Sequence, residues 1–363
     1  MICVWLLLFL VSLSIGGENF ESLFGGEVEW EVGNLEVILP SKQNMGKPPS
    51  NIEISGKLWK TKYKFKCFLS QNRNLMLENS DAYINDKLQM SNPRCQYFGY
   101  ASFKKDDTTN NEDFSLFQSI CTLNYCDRKF ARAFVYLPSP RFMEAAIEIF
   151  AKAEQPKEST ELNFEVYSGL LASNISNKDI YAENALDMAM NYLFKDNLRN
   201  IVTWFQTVND DKKMTGQEYF HVSVVVIATA ELVEMADDHE ELISVMMTIM
   251  NQLSVILDQI HVILSVRRVI VWDHYPTEPM TIEEFIDQIQ SGPVRSVPPG
   301  SYNLVLVYHH LPRFHSHDPT WMGNGNLNSE QMPLFQPIAV DGIHNILDIA
   351  WNTVHRIGHL LCK

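Results

Sequence analysis

Between residues 20 and about 140, short alternations of apolar and polar residues such as NLEVILP, YKFKCFLS and RAFVYLP are separated by polar turns. SKQNMGKPPS and KKDDTTNNED are two of those turns. A period of two bounded by turn residues predicts a β-rich region. From 142 to 206 the spacing changes: FMEAAIEIFAKAEQ and AENALDMAMNYLFKDNLRNIVTWF carry apolar residues at three- and four-residue steps, which predicts helices. The polar, aperiodic stretch TVNDDKKMTGQEY, 207–219, is the predicted linker, and its Lys212-Lys213 pair is a candidate processing site.

After the linker, strand and helix patterns alternate. HVSVVVIATAEL reads as a strand buried on both faces, because its apolar run is nearly continuous. The helix HEELISVMMTIMNQLSVILDQI, the strand HVILSVRRVIVW, the short helix IEEFIDQIQS and the strand YNLVLVYHH follow. The helix IHNILDIAWNTVHRIGHLL closes the series. This order predicts an α/β layer with a mainly parallel sheet. The acidic run Glu234 to Glu241 reads as a solvated helix start, where carboxylates favour the dipole. Met246, Met247 and Met250 read as core filler.

A chain of 363 residues suffices for two domains. Its 46% hydrophobic and 20% charged residues describe a globular protein. A formal net charge of -15 argues against nucleic acid or an anionic membrane as partner. The opening MICVWLLLFLVSLSIGG is apolar from Cys3 to Ile15, with Ser14 and Gly16 where a signal peptidase reads. It predicts a signal peptide over 1–16 and a secreted protein; a membrane anchor is the alternative, although the run is short for a bilayer span. No later stretch reads as membrane-crossing, so the mature protein is expected to be soluble. Removing the signal leaves Cys67, Cys95, Cys121, Cys126 and Cys362, an odd number, which predicts one or two disulfides and an unpaired thiol. Asn174-Ile175-Ser176 is a candidate glycosylation site.

The candidate chemistry lies in VHRIGHLLCK. His355 and His359 stand one helical turn apart, the spacing by which H-E-x-x-H proteases hold zinc. Those enzymes place a glutamate after the first histidine to accept the proton of the metal-bound water. Here that residue is Arg356, which stays protonated and can only donate hydrogen bonds. Its charge also opposes a nearby cation. Taken alone, the pair is better explained by an ordinary helix whose histidines pack or hydrogen-bond without metal. A second cluster, His309, His310, His315 and His317 in YHHLPRFHSHD, reads as a solvated loop, with a replacement metal ligand as the alternative.

The surroundings of the histidine pair are more specific. PIAVDGIHNILDIAWNTVHRIGHLL resembles the catalytic helix of the reprolysin (adamalysin, ADAM-type) metzincins, with Gly358 and Leu361 at matching places. VSVVVIATAELVE, the helix with Met250-Asn251-Gln252-Leu253, and VILSVRRVIVW resemble that domain's first strand, first helix and second strand. Thr320–Asn326, TWMGNGN, falls where the family has an edge strand that pairs with extended substrates. In the other half, FLSQNRNLMLENSDAYI resembles the family's propeptide, with Asn72, Arg73 and Leu75 matching. Cys95 to Tyr100, with Cys121 downstream, resembles its disulfide-linked pair.

The resemblance implies a propeptide-like domain over 17–206, a linker over 207–219 and a metzincin-like domain over 220–363. It also implies a Cys95–Cys121 disulfide and zinc on His355 and His359. The departures bear on activity. The third zinc histidine would fall beyond Lys363, the last residue, Cys362 stands where the motif has glycine, and the Met-turn and lower subdomain are missing. No cysteine between Cys126 and Cys362 is placed to latch a zymogen's zinc. The expectation is a secreted homologue of zinc metalloendopeptidases, proteolytically inactive as written, that binds an extended peptide or protein. The alternatives are an active enzyme whose recorded sequence is cut short, and a binding module in which only the first half matters.

Overall fold

The structure is a computed structural model. It describes residues 31–38, 50–57, 63–85, 87–91, 95–105, 118–125, 130–136, 145–153, 161–172, 219–236, 238–258, 261–272, 282–298, 300–310, 334–340, 343 and 346–361. The signal-peptide region, Asn174, the linker up to residue 218, Cys126, Cys362, Thr320–Asn326 and the helix expected over 182–205 lie outside those residues. The chain forms two compact units that are not consecutive in sequence. Asn19–Gln71 and Cys95–Glu218 make up one, and Asn72–Arg94 and Tyr219–Lys363 belong to the other.

Strands β1 (Glu31–Ile38), β2 (Asn51–Lys57) and β3 (Tyr63–Gln71) open the first unit, while β4 (Met76–Ile84) and β5 (Lys87–Ser91) belong to the second. The first unit resumes with β6 (Gln96–Lys105), β7 (Gln118–Asn124), β8 (Phe130–Tyr136), β9 (Ala145–Ala153) and β10 (Glu161–Ala172). These eight close into an antiparallel barrel, in the order β1-β10-β9-β8-β7-β6-β3-β2. Alternation in the sequence is the cause. Ile52, Ile54, Phe65, Cys67 and Leu69 share one face through the strand register, are buried, and line the inside. On β7 and β8 the second face is buried as well, through Thr122, Asn124, Phe134 and Tyr136. Beside it, Arg132 donates from Nε to Glu148 Oε1 at 2.6 Å, an ion pair almost out of water.

The helix expected from FMEAAIEIFAKAEQ is instead strand β9, paired on both sides by β8 and β10. Its residues fit either period. Read in twos, positions 147 and 149 pair with Val135 and Ala133 of β8, while the buried Glu148 between them meets Arg132. Pairing with two neighbours decides against the local helical reading.

The disulfide pairing also differs from the expected one. Cys121 is joined to Cys67, with Cα atoms 6.3 Å apart, within the usual range for a bridge. Cys95 is disulfide-bonded to neither of them. Strand β6 lies between β3 and β7, and the register sets Cys67 opposite Ala101 and Cys121 opposite Gly99. The bridge therefore crosses β6 over its two smallest side positions. Gly99 is needed for a second reason, since a β-carbon there would overlap the Phe68 carbonyl oxygen. Gly99→Ala is expected to lower stability by about 1–3 kcal/mol, an overpacking cost. Urea unfolding would read this as a lower midpoint, and an unchanged midpoint would contradict the close approach.

The second unit is a mixed six-stranded sheet ordered β14-β13-β11-β12-β4-β5, with β11 (Phe220–Thr229), β12 (Val262–Trp272), β13 (Leu304–His310) and β14 (Leu334–Val340). Neighbours from β14 to β4 pair in parallel, and β5 is antiparallel to β4. The helices are α1 (Ala230–Val233), α2 (His239–Asp258), α3 (Ile282–Ser291) and α4 (Ile346–Leu361). On one face of the sheet, Val225, Ile227, Ile270, Val305 and Val307 pack with Ile289, Val294 and Val297 of α3 and the turn after it. On the other, α2 packs against β12 and α4.

The acidic run behaves as expected at its end. Asp238 caps α2, its carboxylate accepting from the Glu241 N–H at 2.7 Å. Met246, Met247 and Met250 are buried core. Contrary to expectation, α2 has the length and apolarity of a membrane span, although 78% of that stretch is buried inside the protein.

Candidate functional site

The helix with the histidine pair is held to the sheet by apolar contacts and one polar bond. Ile346, Ala350, Val354 and Ile357 are buried at helical spacing. Between them, the Thr353 hydroxyl donates to the Ile349 carbonyl at 2.8 Å, so the Tyr308 hydroxyl donates to Thr353 at 3.0 Å. Tyr308 is fully buried, and burial pushes its phenol well above the ordinary range, partly offset by Thr353. It acts as a neutral donor that fixes the helix against β13.

Positions 355 and 359 come just after this clamp, about 200° and 240° round the helix from Thr353 at about 100° per residue. Their backbone belongs to α4, while their imidazoles lie outside the described side chains. Arg356 is half-buried. Among the described residues no group of three His, Cys, Asp or Glu side chains could hold a metal ion. The donors identified on this chain are two imidazole positions with a guanidinium position between them. A catalytic zinc uses three protein ligands and an open position, so this donor set does not fit one.

The second histidine cluster divides. His309 and His310 end β13, as the strand expected from YNLVLVYHH has them and not as part of a solvated loop, while His315 and His317 lie outside the described residues. His309 is buried, and alternation puts it on the face opposite Tyr308, away from α4. It therefore cannot complete a site on α4. Its Nδ1–H donates to the His310 carbonyl at 3.2 Å, which selects that tautomer. Burial is the main cause that pushes its pKa down to about 4; the backbone bond opposes the shift and the His310 charge adds to it. His309 is neutral at physiological pH.

Polar groups missed in the sequence gather at the carboxyl ends of the parallel strands, where α/β sheets commonly place their sites. The Glu231 carboxylate accepts from the His310 N–H at 3.3 Å. Thr229, ending β11, is buried with its hydroxyl unbonded among the described residues. A polar residue closing an apolar run was the available signal, in IAT and VYHH.

No protein-family model matches the chain, and no curated protein matches it. Among solved structures it is similar to metalloproteinase-II from Bacteroides fragilis, at 9% identity and a TM-score of 0.31. The match covers 82% of this chain and 77% of that one. So loose a superposition does not establish a shared fold.

Proposed function

We propose that the chain is a secreted, reprolysin-like relative of zinc metalloendopeptidases that does not hydrolyse peptide bonds and acts by binding an extended peptide or protein. The observation that carries this reading is the helix α4. Its sequence carries His355 and His359 four residues apart, with Arg356 where the reaction would need a carboxylate. A guanidinium takes no proton from water, and its charge disfavours a metal next to it. What remains available is backbone pairing along a sheet edge, a mode that gives affinity without chemistry.

The test is direct. Purified protein is expected to contain less than one zinc per chain and to leave a generic quenched-fluorescent peptide intact. Cleavage that a chelator abolishes, together with stoichiometric zinc, would overturn the inactive reading and favour an active endopeptidase. Expression through a secretory route is expected to yield a product lacking residues 1–16.

A further inference from the structure

Residues 72–91 come from the half of the sequence expected to be propeptide-like, yet they are built into the sheet of the other unit. Strand β4 pairs in parallel with β12, setting Asp81, Ala82, Tyr83 and Ile84 opposite Arg268, Val269, Ile270 and Val271. Backbone bonds bracket the pairing: Val266 N–H donates to the Leu75 carbonyl at 2.6 Å, and Asn85 N–H donates to the Val271 carbonyl at 2.7 Å. Side chains add to them. The Ser80 hydroxyl donates to the Val266 carbonyl at 2.6 Å, and the Arg268 guanidinium lies 4.3 Å from the Tyr83 ring centre.

The entry point of this segment is polar and specific. Asn72 is 6% exposed, and its amide donates to Asn251 Oδ1 at 3.0 Å and to Ser254 Oγ at 2.9 Å, both on α2. Leu75, Met76, Ser80 and Ala82 have no exposed surface. A buried amide with two side-chain partners specifies one register, because a slip would break both of its bonds away from water. Without residues 72–91, β12 would present an open edge of unpaired backbone groups.

We propose that the α/β unit is a split fold whose sheet is completed by residues 72–91, so that a chain cut between Lys212 and Lys213 stays a single non-covalent complex. The amino-terminal half is then a permanent subunit and not a removable segment. The inference rests on strand pairing and holds whether or not α4 binds metal.

The experiment starts from the folded full-length chain carrying a site-specific protease sequence between Lys212 and Lys213. After cutting, native size exclusion and hydrogen exchange are compared with the uncut protein. The two pieces are expected to co-elute, with the Val266 and Asn85 amides as protected as before. In rising urea they are expected to separate in the same transition in which β12 loses protection. Separation in native buffer overturns the proposal. So does co-elution with β12 exchanging freely, since another contact would then be holding the pieces. Fast exchange at Val266 even in the uncut chain would show that the pairing does not form.

Discussion

Replacing Cys67 and Cys121 together by alanine is expected to destabilise the barrel by about 4 kcal/mol. The bridge closes a loop with a sequence separation of 54, and the chain-entropy relation for a loop of that length gives ~4 kcal/mol at room temperature. Two further facts favour a large effect. Both sulfurs are fully buried in the inner face, so the substitution also removes packed volume beside Ala101 and Gly99. The strands it joins are not neighbours, so the bridge constrains β6 between them, which no single ladder does. Urea unfolding without reductant, followed by near-ultraviolet circular dichroism, measures the loss. A non-reducing digest should contain a peptide pair joined through Cys67 and Cys121; a Cys95–Cys121 pair would restore the expectation drawn from family resemblance.

The second large effect is a pH dependence set by His309. Folding takes this imidazole from an ordinary value near 6.5 down to about 4, because the buried end of β13 disfavours its charged form. The unfolded chain therefore binds the proton more readily than the folded one. The stability is fully present above about pH 6.5 and is lost as the pH falls towards about 4. The shift corresponds to roughly 3 kcal/mol over the whole window, of which roughly 2 kcal/mol is lost between pH 7 and pH 5. His309→Gln is expected to flatten that slope, whatever it does to stability at pH 7. Chemical denaturation of both proteins at pH 7 and pH 5 decides it, and equal slopes would remove His309 as the cause.

Much of the candidate site was legible because its signals are local. The spacing of His355 and His359 and the identity of Arg356 are facts of sequence, and the helical period around them predicted α4. The Tyr308–Thr353 clamp was not legible, since 45 residues separate two groups that meet only when β13 and α4 pack. Nor was the burial of His309. The strand through YNLVLVYHH was readable, but a histidine followed by HLPRFHSHD looks solvated until packing is seen to bury it.

The same division holds for the fold. Repeating patterns within ten to twenty residues determined α2, α3, β11, β12 and β13, because the period of a helix or strand is written in neighbouring side chains. Alternation likewise indicated strands up to about residue 140, and on β2 and β3 the apolar positions do share one face. Tertiary structure alone decided which strands become neighbours. Strand β9 exists because β8 and β10 accept it, and Cys121 meets Cys67 because β6 is narrow at Gly99 and Ala101. Residues 72–91 complete a sheet whose other strands begin 129 residues after Ser91, at Phe220. A strand's own residues state which face is apolar, but its edges carry the same backbone groups in every sequence. The choice of partner is made by the packing of the whole chain.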